Sequence, residues 1–224
     1  AGVRAGESLV LRRAILAEAS RVVLSSTYRQ SAAAPTSKRS QDPDNALYAR
    51  GPRVRLPAEL VRDNALEISG LLSTKMFGPP ARPVQPANVW RVTGEVDNKY
   101  YTSLGEDLYR RGIYTLWRRS AHYPSFANFD APNRGACTVK REVSNTPLQA
   151  LTLMNDPVYV EMAEAFAGRV QAETEGRPAP ERLLHAFRLA VAREPAVDEL
   201  EALRELYIES LDTDGSEGGA WFDI

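Results

Sequence analysis

The sequence has few of the residues that common cofactor and metal sites require. It contains one cysteine, Cys137, so it can form no internal disulfide and no four-cysteine zinc site. A Cys-x-x-Cys-His motif is missing, which excludes covalent attachment of a c-type haem to this chain. Because there are only two histidines, His122 and His185, we expect no multi-histidine metal site. We also expect no cofactor in this chain.

Long apolar runs and familiar catalytic signatures are also missing. No apolar run approaches the roughly 20 residues that cross a bilayer, which predicts that the chain has no membrane-spanning segment. There is no glycine-rich phosphate loop, no Gly-x-Ser-x-Gly motif and no metalloprotease helix. With 43% apolar and 25% charged residues, the composition is that of a globular protein and excludes wholesale disorder.

The charge is close to balanced over the whole chain but uneven along it. Residues 1–156 carry 22 basic and 14 acidic side chains, whereas residues 157–224 carry 6 and 15. The favoured interpretation is that the two parts attract each other and that arginines tie loops to helix ends. The alternative is a basic groove for an anionic partner. A pI of about 6.3 and the lack of a known motif argue against nucleic-acid binding.

Helical periodicity and helix-start patterns predict a mainly α, irregular helical domain with long ordered loops. We expect a first helix that Ser8 caps and that runs to about Ser25, and a second that starts at Pro57 and ends near Gly70 to Ser73. Thr-Pro-Leu-Gln at residues 146–149 fits a capping box with proline at the first helical position. Asp156 and Pro157 repeat the device for the next helix.

Two further helices follow, each with a predicted buried face. In the first of them, apolar side chains recur at helical spacing and are expected to point inward: Leu184, Phe187, Ala190 and Val191. Val197, Leu203 and Tyr207 belong to the stripe of the last helix.

Three short runs favour β structure, at residues 89–93, 113–117 and 136–143. They predict a small β-hairpin or short sheet within the helical domain.

Several side chains are candidates for chemistry, each with a plainer alternative. Asp42 with Asp44, and Glu106 with Asp107, can act as acid–base pairs or bind a hard cation, but caps and arginine pairing explain them more simply. Cys137 is surrounded by basic residues that can lower the pKa of a thiol, and His122 would be its base. An inert buried thiol is the favoured interpretation.

Aromatic residues alternate with arginines over residues 100–141. Such a stretch can form a stacking platform for sugar rings or bases, although packing in the core is the favoured interpretation. The aromatic residues are Tyr100, Tyr101, Tyr109, Tyr114, Trp117 and Tyr123.

The order and spacing of several strings resemble one family, the planctomycete cytochrome-associated domain of PSD type, whose function is uncharacterised. The resemblance extends from about residue 10 to residue 211. The strings are Ser-Thr-Tyr-Arg-Gln at 26–30, Asp-Pro-Asp-Asn at 42–45, Arg-Gly-Pro-Arg at 50–53, Glu-Asp-Leu-Tyr-Arg-Arg at 106–111, Phe-Asp-Ala-Pro at 129–132 and Ser-Asn-Thr-Pro-Leu-Gln-Ala-Leu at 144–151.

The resemblance implies a single domain over residues 1–224, truncated at both ends, with a basic subregion 1–156 and an acidic helical subregion 157–224. In that family the domain forms the C-terminal part of exported proteins, many of which carry a c-type cytochrome. It therefore implies an extracytoplasmic location, a possible haem in a neighbouring domain, and partners within the parent protein. The family provides no catalytic residues.

The motif residues combine carboxylates, phenols and guanidinium groups that we expect to meet in a polar hub. Buried together, these groups would have to satisfy one another and would hold irregular loops around the helices. Open to solvent, they would bind a polar ligand. The predicted members are Tyr28, Arg29, Arg53, Arg55, Glu106, Asp107, Tyr109, Arg110, Trp117, Asp130, Arg134 and Asn145.

Two functions are therefore expected from different classes. The first is a non-catalytic interaction or scaffold module of an exported, c-type cytochrome-linked redox protein. The second is a domain that binds or degrades an anionic, sulfated polysaccharide, and the aromatic stretch at residues 100–141 motivates it.

Overall fold

The computed structural model describes residues 5–87, 89–90, 99–214 and 221, and within these residues the fold is mainly helical, as predicted. Eight α-helices lie in this part of the chain, together with 3₁₀ helices at Gly105–Tyr109 and Gly112–Tyr114. The α-helices are α1 (Ala5–Leu24), α2 (Thr36–Gln41), α3 (Ala58–Ser69), α4 (Pro124–Asn128), α5 (Pro147–Asn155), α6 (Pro157–Glu173), α7 (Ala179–Val191) and α8 (Val197–Asp214).

The chain divides into two compact units, Ala1–Arg55 and Leu56–Ile224. The first unit contains α1 and α2, and the second contains the other six α-helices. The charge boundary at Asp156 therefore falls inside the second unit, between α5 and α6. That residues 1–224 act as one domain stays a prediction.

Helix α1 begins at Ala5, three residues before the expected cap, so the prediction that Ser8 caps it is wrong. No proline precedes Ser8, and the helix tolerates Gly6, since one glycine costs only about 1 kcal/mol. The apolar side chains Leu16 and Val22 of this helix are 65% and 59% exposed. The predicted stripe is thus present but largely faces solvent.

The second unit is built around the pair α3 and α6. Leu66 of α3 is fully buried against Val158 and Met162 of α6. As predicted, α3 follows Pro57 and ends at Gly70, which takes the left-handed conformation (φ 79°) that glycine adopts without strain. The capping box of α5 is confirmed, and Asp156 caps α6 by accepting the Val158 N–H at 3.0 Å.

A second apolar cluster joins α6, α7 and α8. Leu183 and Ala186 are the buried residues of α7, so the predicted inward face is rotated: Leu184 and Phe187 are half-buried, while Ala190 and Val191 are exposed. The apolar arc of α7 is wider than its contact with the neighbouring helices, and only Leu183 and Ala186 of α7 belong to the buried part of this cluster.

In α8 the predicted stripe is only partly buried. Tyr207 is buried and Leu203 half-buried, but Val197 is 77% exposed.

The predicted hairpin or sheet is reduced to two isolated parallel bridges among the residues described, Ser73 with Arg110 and Ala81 with Thr115. Prolines on both sides of Ala81 lack an N–H group, so pairing cannot extend along that segment.

None of the three β-favouring runs forms a strand in the residues that the structure describes. Residues 113–117 start in a 3₁₀ helix and pair only at Thr115. Residues 136–143 are exposed and form no strand, and residues 91–93 lie outside the described part. No helix among the residues searched is long and apolar enough to cross a membrane.

Candidate functional site

In the first unit, the loop at residues 42–50 is fixed by its own polar groups. Buried Asp42 accepts the backbone N–H groups of Ala46 and Leu47 at 2.8 and 2.9 Å. Arg50 donates to the backbone oxygens of Asp42 and Pro43 at 2.7 and 2.6 Å. Both carboxylate oxygens of Asp42 are thus used in holding the loop, which supports the structural interpretation of this acidic pair.

Two motif strings of the first unit pack directly against each other at Gly51. The Gly51 N–H donates to the Ser31 carbonyl at 3.0 Å, and a Cβ atom at this position would lie 2.4 Å from the Gln30 carbonyl oxygen. Gln30 in turn donates from Nε2 to the Tyr48 carbonyl at 2.7 Å. The close approach explains why the string at residues 50–53 contains glycine.

This scaffold surrounds an open concavity of about 1150 Å³, which we call the first-unit concavity. Its lining combines exposed phenol rings, guanidinium groups and one carboxylate, contributed by Tyr28, Tyr48, Arg39, Arg53, Asp44 and others. Tyr28 and Tyr48 are 63% and 67% exposed. Two of the predicted hub residues, Tyr28 and Arg53, therefore line a solvent-open surface.

Tyr48 has a left-handed backbone, with φ of 52°. For a bulky residue this conformation costs on the order of 1–3 kcal/mol and persists only where the surroundings fix it. Here the Tyr48 N–H donates to the Asn45 carbonyl at 3.1 Å, and the Tyr48 carbonyl accepts from Gln30. The ring itself is exposed, so its burial does not offset the strain.

The second unit uses its arginines differently, because Arg62 and Arg110 are 1% and 0% exposed. Arg62 donates to the carbonyls of Arg110 and Leu108 at 2.7 and 2.8 Å. Arg110 donates to the carbonyls of Pro79 and Phe77 and packs over the Tyr114 ring at 4.0 Å. These two guanidinium groups hold together loops from separate parts of the sequence.

The acidic pair Glu106 and Asp107 contacts Lys75, whose Nζ lies 3.1 and 3.0 Å from the two carboxylates. Hydrogen bonds to Asp107 and then Glu106 raise the pKa of Lys75. Neighbouring Tyr109 donates its hydroxyl to Glu161 at 2.5 Å, which raises the pKa of the phenol. Both carboxylates of this acidic pair thus form ion pairs with Lys75.

A polar network lies beneath α5. Ser144 donates to Asp130 from both its N–H and its hydroxyl, at 2.8 Å in each case. Gln149 donates to the Asn128 carbonyl and to the Ser144 hydroxyl, both at 3.0 Å. The Asn128 amide donates to the Thr152 hydroxyl at 3.0 Å, so the network joins α4, the loop before α5 and α5 itself.

Helix α5 therefore has an inverted amphipathic character. Its buried residues are the polar Gln149 and Thr152, which are 4% and 7% exposed. Leu148, Leu151 and Met154 follow at three-residue spacing on another side and are 54%, 55% and 73% exposed. We call these three side chains the α5 apolar face.

The loop that precedes α5 carries the remaining candidates. Arg134 lies over the Trp117 ring at 4.4 Å, and His122 packs beside the same ring at 5.4 Å. Arg141 forms a bidentate pair with Glu59 of α3, at 2.7 and 3.1 Å.

Cys137 lies in the same loop and is exposed, so the favoured interpretation of a buried thiol is wrong. Arg134 and Arg141 anchor this loop to Trp117 and Glu59, whereas Cys137 faces solvent. In the part of the chain that was searched, no three His, Cys, Asp or Glu side chains group as a metal site would require.

The predicted polar hub is divided between the two units, and its assembly across them stays a prediction. Tyr28, Arg29, Arg53 and Arg55 belong to the first unit. Within the second unit two pairs of predicted members meet: Asp107 Oδ1 lies 3.9 Å from Arg110 Nε, and Arg134 lies over the Trp117 ring. The other members make separate contacts, already described: Glu106 with Lys75, Tyr109 with Glu161, and Asp130 with Ser144. Asn145 is exposed.

The sequence did not single out Tyr48, Arg39 or the α5 apolar face. Tyr48 lies between two motif strings, which is the one indication that could have identified it. The outward orientation of Leu148 and Leu151 has no local indication, because it depends on partners of Gln149 elsewhere in the chain.

Comparison with known proteins gives a family and no further relatives. The chain matches no curated protein and no solved structure. A family model described as PSD1, protein of unknown function (DUF1553), matches residues 19–207, which include the strings in both units. The chain therefore belongs to the PSD1 family.

Proposed function

We propose that this chain is a non-catalytic interaction module of an exported, c-type cytochrome-linked protein, and that it binds another domain of its parent through the α5 apolar face. The observation that carries the proposal is the inversion of α5, whose buried residues are the polar Gln149 and Thr152 while Leu148, Leu151 and Met154 are exposed. An ordinary surface helix has the opposite arrangement.

The polar network makes this orientation obligatory. Rotating α5 to bury its leucines would break the bonds of Gln149 to Asn128 and Ser144. Burying a leucine or methionine side chain stabilises by roughly 1.5–3 kcal/mol, so three such side chains offer a partner a substantial contact. A partner domain that covers them gains this energy without any rearrangement of the helix.

The resemblance to planctomycete cytochrome-associated domains supports the finer features of the proposal. In such proteins the domain accompanies a c-type cytochrome outside the cytoplasm. The haem of the parent would lie in a neighbouring domain, and electron transfer would be that domain's activity. The role of this chain is to hold its neighbour in place.

The proposal is tested by titrating the purified chain with each neighbouring domain of its parent in a calorimeter. We expect Leu151→Glu to weaken binding at least tenfold, because it places a charge in the contact. Leu104→Glu is the matched control, since Leu104 is 87% exposed in the same unit and is not part of α5. Equal affinities of the two variants, with both folded by circular dichroism, would contradict the proposal.

A second candidate function, binding of an anionic polysaccharide, is favoured by the first-unit concavity and its exposed tyrosines and arginines. The aromatic stretch that first motivated this function is largely committed to packing, since Tyr123 is buried and Tyr109 is bonded to Glu161. The test is retention of the whole chain on an immobilised sulfated polysaccharide. Failure to bind any anionic polysaccharide would remove this candidate.

A further inference from the structure

We infer that the first-unit concavity is a saccharide site that stacks a sugar ring on Tyr28 or Tyr48 and binds its sulfate or carboxylate through Arg39 and Arg53. This inference rests on the second candidate function, and it specifies which side chains bind which part of the ligand.

The charge of the concavity favours an anionic ligand. The first unit has ten basic and four acidic residues. Among the guanidinium groups that line the concavity, that of Arg50 is used by the carbonyls of Asp42 and Pro43, whereas Arg39 and Arg53 are exposed. A guanidinium fork matches the geometry of a sulfate or carboxylate, and each pair adds two parallel hydrogen bonds.

The two tyrosines supply the complementary contact. A phenol ring offers an apolar face and a polar tip, and a sugar offers an apolar C–H face edged with hydroxyls. A sulfated or uronic sugar therefore offers an apolar face to Tyr28 and Tyr48 and an anionic group to the two arginines. The volume of about 1150 Å³ suits several sugar rings, and the open shape lets a polymer pass through.

An acidic peptide fits this surface less well. Peptides dock by adding a strand to a sheet edge, by laying a helix in an apolar groove, by placing proline-rich chain between aromatic residues, or by pairing acidic side chains with clustered arginines. The described residues of the first unit contain no strand, and backbone groups of the loop are used internally, as in the bond from the Gly51 N–H to Ser31. An acidic peptide could therefore pair only with the arginines and would leave the exposed rings of Tyr28 and Tyr48 without a contact, whereas a sugar ring can stack on them.

The strained backbone of Tyr48 is consistent with a binding role. Its φ of 52° is unfavourable for tyrosine, and its ring is 67% exposed and so gains little from packing. Asparagine adopts this conformation more readily. A tyrosine retained here at the expense of stability is explained if the ring contacts a ligand.

The test is calorimetric titration of the whole chain with a chondroitin sulfate hexasaccharide and with its desulfated form. We expect Tyr48→Asn to lower the affinity for the sulfated form at least fivefold while the melting temperature stays equal or rises. Arg53→Gln should lower it at least fivefold and reduce its dependence on salt. Removing the sulfates from the ligand should weaken binding to the unmodified chain.

Matched controls separate the site from the rest of the molecule. Tyr101→Ala removes a tyrosine that is 64% exposed in the second unit, and Arg13→Gln removes an exposed arginine of α1 outside the concavity. Both should leave the affinity unchanged. If the unmodified chain binds but Tyr48→Asn and Arg53→Gln bind equally well, the site is wrong and the second candidate function survives.

Two other outcomes would contradict the second candidate function or the ligand class as well as the site. If the unmodified chain binds neither this hexasaccharide nor any other anionic polysaccharide, the second candidate function fails together with the site. If a polyaspartate peptide binds more tightly than the hexasaccharide and competes with it, the ligand class is wrong.

Discussion

Buried arginines of the second unit and exposed arginines of the first have opposite roles in this protein. In the second unit Arg62 and Arg110 are buried and bind backbone carbonyls, whereas in the first unit Arg39 and Arg53 are exposed at a concavity. Arg53 and Arg110 both belong to motif strings, so the residue type and the motif setting are similar for these two. Burial and the identity of the acceptor therefore decide whether a motif arginine stabilises the fold or is available to a ligand.

A second contrast lies between α5 and α6, which follow each other in the sequence. Helix α6 buries Val158, Met162 and Val170, as an ordinary amphipathic helix does. Helix α5 buries Gln149 and exposes leucines. The two helices start with the same device, a capping residue before proline, so the starting pattern carries no information about which face is buried.

The largest effect expected is on stability, from removing a buried arginine. Arg62→Met leaves the carbonyls of Leu108 and Arg110 without their donor, and an unsatisfied buried polar group costs about 1–3 kcal/mol. We expect the free energy of unfolding to fall by about 3 kcal/mol. The measurement is urea denaturation followed by circular dichroism.

Arg53→Met is the matched variant in the first unit, and as an exposed substitution it should stay within about 0.5 kcal/mol of the unmodified chain. Similar losses from both substitutions would erase the distinction between buried and exposed arginines.

The next effect concerns the inverted helix. Gln149→Leu, which should be favourable on a conventional buried face, removes donors to Asn128 and Ser144 and is expected to cost about 2 kcal/mol. Leu151→Gln, the reverse exchange on the exposed side, should change stability by less than about 0.5 kcal/mol. Thermal unfolding of the two variants distinguishes them. A larger loss for Leu151→Gln would mean that the α5 apolar face is buried in the isolated chain.

Local patterns predicted the helix ends of the second unit well. The capping box before α5, the Asp156 cap and Gly70 at the end of α3 each depend on residues within one turn. Such interactions are fixed by short stretches of sequence, whatever the rest of the fold does. The same reasoning failed at Ser8, where helix formation continued upstream of a residue that could have capped it.

The features that define the candidate sites could not be predicted in this way. The orientation of α5 depends on Asn128, 21 residues from Gln149, and the role of Arg62 depends on carbonyls 46 and 48 residues away. The left-handed backbone of Tyr48 depends on Gln30, 18 residues away. Each is a consequence of long-range contact, which periodicity and propensity do not contain.

The smallest expected effect is a pH dependence that separates two acids one turn apart on α3. Burial is the largest single influence on Glu59 and opposes ionisation, but the hydrogen bonds and charge of Arg141, together with a backbone hydrogen bond and the charge of Arg134, outweigh it and lower the pKa of this carboxyl from 4.5. Burial of Asp63 outweighs its bond from the Gly112 N–H and raises its pKa above 3.8. Glu59 therefore stabilises the fold above its unfolded pKa, and this contribution is lost as pH falls through the lower folded value. Asp63 acts in the opposite sense, since the folded state binds its proton more tightly and gains stability as pH falls through the raised pKa.

Urea midpoints measured between about pH 6 and about pH 3 should resolve the two acids. Glu59→Gln should reduce the loss of stability between about pH 6 and about pH 3, and Asp63→Asn should increase it. Each change should be roughly 0.5 kcal/mol, because the Arg141 pair is partly screened by solvent. Both amides keep an oxygen for the existing donor, so the comparison isolates the charge. If Glu59→Gln lost stability more steeply at acid pH, burial and not Arg141 would dominate the titration of Glu59. The ion pair with Arg141 would then not stabilise α3.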